Sequence, residues 1–209
     1  MRVLSVNVSP PKRAPNGAKM PVVTRVMLRR LHLDGDGQAD PENHGGPQRA
    51  AYAYPIENNG HWSRELGRLG FAFGQFGENF TVGGMTENEV RIGDVFRVGG
   101  ALFEVSQPRP PCSKLGIKMG MPRFPRLFLA SGRVGFYLRV LEEGEVGAGD
   151  AFERVGAAPE GMTVREMGHL LFVEPENLEG AGRALRIRAL APGWRGSFEE
   201  RPAKKAGAS

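Results

Sequence analysis

The sequence contains a single cysteine, Cys112, among its 209 residues. An intrachain disulfide is therefore excluded, as is a structural zinc site built from several cysteines. No run of apolar residues approaches the length needed to cross a bilayer. The first residues, MRVLSVNVSP, lack the long apolar segment of a signal peptide. We therefore expect a cytoplasmic protein without a membrane partner.

Motifs of several common functional classes are also missing. The sequence has no Walker-type loop, no GxGxxG phosphate loop and no arguable Ser-His-Asp arrangement. Its net charge of +5 attracts anions, but the basic residues form no aromatic-interleaved stripe and match no nucleic-acid-binding motif. A phosphate-bearing small ligand explains the charge at least as well as nucleic acid does. A non-enzymatic nucleic-acid-binding module is therefore the least favoured alternative.

Glycine and proline are abundant, at 30 and 16 residues, which indicates many turns and favours a β-rich body. Before about residue 155, short apolar runs alternate with turn residues, and the sequence DVFRVGG–ALFEVS predicts a hairpin around Gly99-Gly100. Two helices are predicted between the strands, at Ile56–Leu66 and Arg123–Ser131. Many short strands with long loops indicate a β-barrel or folded β-sandwich. The predicted strands are Val3–Val8, Thr24–Leu33, Ala50–Tyr54, Phe80–Val82, Asp94–Val98, Ala101–Ser106, Gly135–Leu141 and Ala151–Val155.

After Val155 the pattern becomes helical. Thr163-Val-Arg-Glu166 is a capping-box sequence, and the apolar residues that follow it repeat at helical spacing. Further short helices are predicted at Pro175–Ala181, at Ala184–Leu190 and after Pro192. We predict a barrel-like domain over residues 1–158, a small bundle of helices over 159–202 and a disordered tail over 203–209.

The first polar segment that could carry chemistry is LDGDGQADPENHGGP, residues 33–47. It is too long and polar for a simple turn, and its acidic residues lack the spacing of an EF-hand calcium loop. His44 precedes Gly45 and Gly46, whose free backbone lets an imidazole or N–H group approach a ligand closely. The alternative is a solvent-exposed turn histidine.

The second segment is GQFGENF, residues 74–80, in which Glu78 and Asn79 stand at the entrance of a strand. Both side chains offer oxygen atoms for polar ligand groups. The alternative is that both cap backbone groups of a turn.

The third segment, SQPRPPCSKLG, holds Cys112 in a loop stiffened by prolines between Arg109 and Lys114. Nearby cations favour the thiolate form of a cysteine, which attacks electrophiles and binds soft metals. If the segment after Cys112 is helical, the thiol also lies at a helix N-terminus. The alternative is a buried structural cysteine, but such residues usually lie within apolar runs.

Taken in order, these segments resemble the MOSC domain, which is related to the C-terminal part of molybdenum-cofactor sulfurase. The similarity runs through LDGDGQADPENHGGP, a YP step into a helix, FGENFTVGG, IGDVFRVGGALFEVSQPRPPC and SGRVGFYLRVLEEGEVGAGD. More narrowly, the sequence is similar to the stand-alone bacterial YiiM-like branch. That branch has a C-terminal three-helix domain, which the sequence from MTVREMGHLLF onward resembles.

The resemblance implies a mainly β, MOSC-type barrel-like domain followed by a small C-terminal helical bundle. It also implies a molybdenum cofactor, molybdopterin, with Cys112 as the ligand of molybdenum or, in sulfur-transfer members, as the carrier of a persulfide. In the YiiM-like branch the implied activity is reduction of N-hydroxylated compounds such as hydroxylaminopurines. This reaction detoxifies base analogues with electrons from a separate reductase. The residues carried over to the pocket are His44, Gly45, Glu78, Asn79 and Arg109.

Chemistry suggests a role for each group. Molybdenum requires a soft ligand, and Cys112 is the one available. The cofactor's phosphate requires cations or backbone N–H groups, which Arg109, Lys114 and the Gly45-Gly46 amides supply. Reducing N–OH to N–H releases water and consumes protons, for which His44 or Glu78 is the expected donor.

Two questions stay open at this point. A sulfur carrier that cycles Cys112 through a persulfide needs the same flanking cations, so the residues do not separate it from the reductase. The C-terminal helices have three alternative roles: a lid packed on the barrel, a homodimer contact, or a docking surface for the electron donor.

Overall fold

The computed structural model describes residues 1–9, 19–22, 24–37 and 45–201. Over these residues the chain forms ten strands, a short 3-10 turn at Pro47–Arg49 and six α-helices. The strands are β1 (Arg2–Val8), β2 (Met20–Pro21), β3 (Val26–Leu28), β4 (Ala51–Pro55), β5 (Phe80–Gly83), β6 (Val95–Val98), β7 (Ala101–Pro108), β8 (Phe136–Glu142), β9 (Gly144–Val146) and β10 (Glu153–Gly156). The helices are α1 (Asn58–Leu66), α2 (Ser113–Met119), α3 (Phe124–Ser131), α4 (Val164–Phe172), α5 (Leu178–Leu185) and α6 (Pro192–Glu199).

Eight strands form one curved sheet in the order β10-β6-β7-β8-β4-β5-β1-β2, and β3 pairs with β9 in a separate ribbon. Only the β4–β5 pair of the large sheet is parallel. The chain just before β10 returns to β1, where Val3 N donates to Asp150 O at 2.9 Å and Phe152 N to Met1 O at 3.0 Å. The two ends of the sheet therefore approach each other, and the predicted barrel-like architecture is confirmed.

The predicted hairpin at Gly99-Gly100 is also confirmed, because β6 and β7 are antiparallel and pair Val98 with Ala101. The strand predicted over Thr24–Leu33 is wrong in its second half. There Arg29 N donates to His32 O at 2.8 Å in a turn, and Leu33 bridges back to Leu28.

The C-terminal region begins with the predicted capping box, in which Thr163 and Glu166 each accept a hydrogen bond from the other's backbone N–H. The two helices predicted at Pro175–Ala181 and Ala184–Leu190 are wrong, because one helix, α5, spans the gap between them. Asn177 starts it by accepting a hydrogen bond from Gly180 N at 2.7 Å. The tail predicted over residues 203–209 lies outside the described residues.

Two apolar clusters organise the molecule. The larger one combines the inner face of the sheet with the C-terminal helices, which contribute Val164, Met167, Leu170 and Phe198 among others. The smaller cluster is aromatic and lies between β4 and helices α1 to α3. No helix among the described residues is both long enough and apolar enough to span a membrane.

Candidate functional site

Cys112 stands where the strand β7 gives way to the helix α2. Its backbone is extended, at φ −122° and ψ 164°, and it occupies the N-cap position of α2. Its carbonyl oxygen accepts a hydrogen bond from Leu115 N at 3.0 Å. The residue is half-buried. The helix therefore begins directly after the cysteine, and this residue is partly accessible from solvent.

Arg109 is the cation fixed beside this loop. Its side chain is buried, at 8% exposure, and its guanidinium carbon lies 5.2 Å from the centre of the Tyr52 ring and 5.6 Å from that of Phe128. Cation–π attraction holds the group in place, but Nη1 has no hydrogen-bond partner within the described part of the chain. A buried, unpaired donor on a cation favours an anionic acceptor at this position.

Lys118 brings a second cation to the same place from the last turn of α2. Its Nζ donates to Gly74 O at 3.2 Å. Burial lowers the pKa of this amine to about 8, the negative charges of Glu78 and Cys112 oppose the shift, and the cations Lys19 and Arg109 add to it. Lys118 therefore titrates close to neutral pH and lies within electrostatic reach of Cys112.

Glu78 is fully enclosed and holds the loop before β5. Its carboxylate accepts from Gly74 N at 2.8 Å, Phe76 N at 3.0 Å and Thr81 Oγ1 at 2.9 Å. Burial raises the pKa of this carboxyl, and the hydrogen bonds partly oppose the shift. The contacts agree with the alternative in which Glu78 caps backbone groups. The raised pKa of its carboxyl is also compatible with a role as proton donor.

Asn79 belongs to a buried polar network rather than to an open surface. Its Nδ2 donates to Asp36 Oδ2 at 2.8 Å, and its Oδ1 accepts from Tyr52 N at 3.1 Å. Lys19 Nζ lies 2.5 Å from the same Asp36 oxygen, and burial lowers the pKa of Lys19. Asn79 thus fixes the position of the Lys19–Asp36 ion pair.

Gly74 connects these groups through its backbone, at a position where a side chain would not fit. Its φ is +78°, and an added Cβ would lie 2.5 Å from Lys19 O. Its own N–H binds Glu78 while its carbonyl oxygen binds Lys118. The glycine-rich loop therefore brings Lys19, Glu78 and Lys118 to one place.

The predicted residues separate into three groups. The structure brings Glu78, Asn79, Arg109 and Cys112 into one region. Lys114 points outward and is exposed, whereas Gly45 and Gly46 line a separate pocket. His44 lies outside the described residues.

Sequence reasoning missed three members of the site, namely Lys19, Asp36 and Lys118. Lys118 follows Lys114 by one helical turn, so treating α2 as a helix would have pointed to it. Nothing in the local sequence marks Lys19, and Asp36 lies in the polar segment 33–47, where nothing distinguishes it from the other acidic residues. Among the described residues no group of three or more His, Cys, Asp or Glu side chains is arranged to hold a metal ion.

Comparison with known families decides the classification. Residues 40–153 match the model of the MOSC domain, which is more than half of the 209-residue chain. The chain belongs to the MOSC domain family. Residues 162–204 match the YiiM-like, 3-alpha helix domain, so the MOSC domain here is followed by the helical module of the YiiM-like branch.

Individual relatives agree with this classification. YflK of Bacillus subtilis is 41% identical, with 94% of this chain and 92% of YflK aligned. The crystal structure of YiiM from Geobacillus stearothermophilus superimposes with a TM-score of 0.83 at 33% identity, covering 96% of this chain and 98% of YiiM. A protein named reductase from Gibberella moniliformis is 35% identical over 119 residues, which are 56% of this MOSC protein and 21% of the reductase.

Proposed function

We propose that this MOSC protein is an oxidoreductase that binds the molybdenum cofactor through Cys112 and reduces N-hydroxylated compounds such as hydroxylaminopurines. The observation that carries the proposal is the half-buried Cys112 within electrostatic reach of the buried cation Arg109. MOSC domains are associated with the molybdenum cofactor. The relative named reductase supports a redox reaction.

The residues of the site fit such a cofactor. A thiolate is the soft ligand that molybdenum accepts, and Cys112 is a partly exposed free cysteine. The unpaired Nη1 of Arg109 offers a charged donor for an acceptor atom of the bound group. When bound, the cofactor supplies the redox centre for a two-electron reduction.

The protein's own groups provide the proton chemistry that this reaction requires. Converting R–NH–OH to R–NH₂ and water consumes two electrons and two protons. Lys118 carries a proton on Nζ at neutral pH, because its pKa is about 8. Burial raises the pKa of Glu78, which lies within electrostatic reach of Lys118. His44 remains a predicted donor. The electrons come from a separate reductase, which is part of the proposal.

The test is metal and pterin analysis of protein purified from a host that makes the cofactor. We expect molybdenum and oxidised pterin to co-purify with the parent. Cys112→Ser should lose molybdenum by more than about tenfold, because a hydroxyl is a poor substitute for a soft thiolate ligand. The neighbouring, exposed Ser113→Ala is the matched control and should retain it. Full molybdenum content in Cys112→Ser would eliminate Cys112 as the ligand.

The partial exposure of the Cys112 thiol also favours a second candidate, a sulfur carrier that holds a persulfide and needs no metal. Incubation with a donor of sulfane sulfur, such as a low-molecular-weight persulfide that leaves as its thiol, would then add the mass of one sulfur atom to the intact protein. Dithiothreitol should remove that mass, and Cys112→Ser should never acquire it. A parent protein that carries molybdenum and gains no sulfur would reject this candidate.

A further inference from the structure

A pocket lies where the barrel meets the C-terminal helices. It has a volume of about 380 Å³ and is lined on one side by residues 45–49 and Gln107, and on the other by the first turn of α6. We call it the junction pocket. Its volume lies within the range of ordinary small-molecule sites, and neither the barrel nor the helical module forms it alone.

Two hydrogen-bond donors in the junction pocket are unused. Gln107, at 2% exposure, lines the pocket from β7. Trp194 lines it from α6. Neither Gln107 Nε2 nor Trp194 Nε1 has a hydrogen-bond partner in the described part of the chain, although both atoms are buried. Buried donors without partners are destabilising and uncommon in native proteins, so two that line one pocket indicate a ligand with acceptor atoms.

The electrostatics of the pocket specify the charge of that ligand. Ala191, the N-cap residue of α6, provides no side-chain cap, so no capping group compensates the partial positive charge of the helix N-terminus. Arg49 adds a full positive charge, and none of the described residues that line the pocket is acidic. The backbone of Gly46 has a φ of +91°, and an added Cβ would meet nothing within 4 Å, so a ligand can approach this backbone closely.

We propose that the junction pocket binds the phosphate group of a small-molecule ligand, with Gln107 Nε2, Trp194 Nε1 and the backbone N–H of Gly193 as donors. A tetrahedral oxyanion accepts hydrogen bonds from several directions at once, which suits donors that come from opposite walls. The pocket is larger than a free phosphate ion requires, so the phosphate belongs to a larger molecule. That molecule is either the pterin cofactor, in which case the inference rests on the proposed function, or a separately bound phosphorylated substrate.

The chain provides a direct reporter for this proposal. It contains two tryptophans, and the indole N–H of Trp62 is already donated to Tyr54 Oη at 2.6 Å. In ¹H–¹⁵N spectra of the full chain made without cofactor, we titrate inorganic phosphate and glycerol phosphate against potassium chloride at equal ionic strength. The Trp194 indole signal, assigned with Trp194→Phe, should shift as its N–H gains an acceptor, while the Trp62 signal stays in place.

Variants separate the pocket from general attraction of anions. Gln107→Met and Trp194→Phe, which remove one donor each at similar volume, should weaken phosphate binding, measured by calorimetry, by about tenfold. Arg49→Gln should also weaken binding, whereas Arg188→Gln, which removes an exposed cation elsewhere, should not. An unmoved Trp194 signal at saturating phosphate, or equal binding by parent and Gln107→Met, would overturn the proposal.

A comparison of two preparations identifies the source of the phosphate. If the pterin cofactor supplies it, cofactor-free protein responds to phosphate and cofactor-loaded protein does not. If a substrate supplies it, both preparations respond. Either result supports the junction pocket, and neither depends on the role of Cys112, which metal analysis tests separately.

Discussion

At the scale of single residues, Lys118 has an unusual environment for a lysine. It is largely removed from water, it lies near the cations Lys19 and Arg109, and its proton is stabilised by Glu78 and Cys112. A folded-state pKa of about 8, below the ordinary value of 10.5, means that the unfolded chain binds more protons between these two pH values. Lys118 therefore destabilises the folded protein at neutral pH, and that effect disappears as pH rises through this window.

We predict that Lys118 titrates with a midpoint near 8. Reductive ¹³C-methylation followed by NMR resolves individual lysines, and Lys118→Arg identifies the Lys118 signal by its loss. In urea unfolding, Lys118→Met should be more stable than the parent at pH 7. This difference in the free energy of unfolding should shrink as pH rises. A midpoint at the value of a solvated lysine, about 10.4, would contradict the environment described for this amine.

The residue scale also shows where sequence reasoning succeeds. Arg109 and Cys112 were accessible to it because a proline-stiffened segment of a few residues holds both. Lys19 and Asp36 were not, because their pairing depends on the loop that meets them at Gly74. A contact between distant segments leaves no local signal in the amino-acid sequence.

At the scale of elements, caps decide where the C-terminal helices begin. Thr163 opens α4 with a reciprocal pair of hydrogen bonds, and the sequence predicted this start correctly. Asn177 caps the start of α5, but this cap was not predicted, and two helices were predicted where the structure has one. The glycine at position 180 allows α5 to pack closely on Leu170, because an added Cβ would lie 2.6 Å from Leu170 Cδ1 and displace that side chain. A glycine that serves a close helix–helix contact resembles a helix break when only the sequence is seen.

We predict that Thr163→Ala destabilises the protein by about 1 kcal/mol, because Glu166 N loses its acceptor at the start of α4. Thr163→Ser, which keeps the hydroxyl, should stay close to the parent. Urea unfolding measures both. The hydrogen bond that Thr163 N donates to the Glu166 carboxylate lowers the pKa of Glu166. The stabilisation from this second hydrogen bond should decline as pH falls through that pKa. Equal unfolding midpoints for the alanine and serine variants would show that the cap contributes nothing.

At the scale of the whole molecule, the barrel and the C-terminal helices share one apolar core. Buried residues from α4, α5 and α6 belong to the same cluster as the inner face of the sheet. Backbone hydrogen bonds reinforce the contact, from Ile92 N to Met162 O at 2.9 Å and from Val164 N to Val90 O at 2.8 Å. The sequence predicted both regions, but the change in its pattern near residue 155 gave no indication that they are packed as one body.

We predict that a chain ending at residue 160 does not fold stably. Each large apolar side chain that loses its burial costs about 1.5–3 kcal/mol, and several such losses exceed the net stability of a typical protein, about 5–15 kcal/mol. The intact chain should unfold in one transition by circular dichroism. The truncated chain should bind the dye ANS, whereas a chain ending at Arg201, which keeps every residue of the shared core, should not. A soluble, cooperatively folded fragment 1–160 would contradict the shared core.

The shared core also has a consequence for synthesis on the ribosome. Phe198, one of its buried members, lies on α6 and follows the whole barrel in sequence, so the core stays incomplete until the C-terminal helices have left the exit tunnel. The sheet emerges first and must wait with its apolar face uncovered, a state in which nascent chains associate or recruit chaperones. Helix α6, which also forms one wall of the junction pocket, is therefore required to complete the shared core.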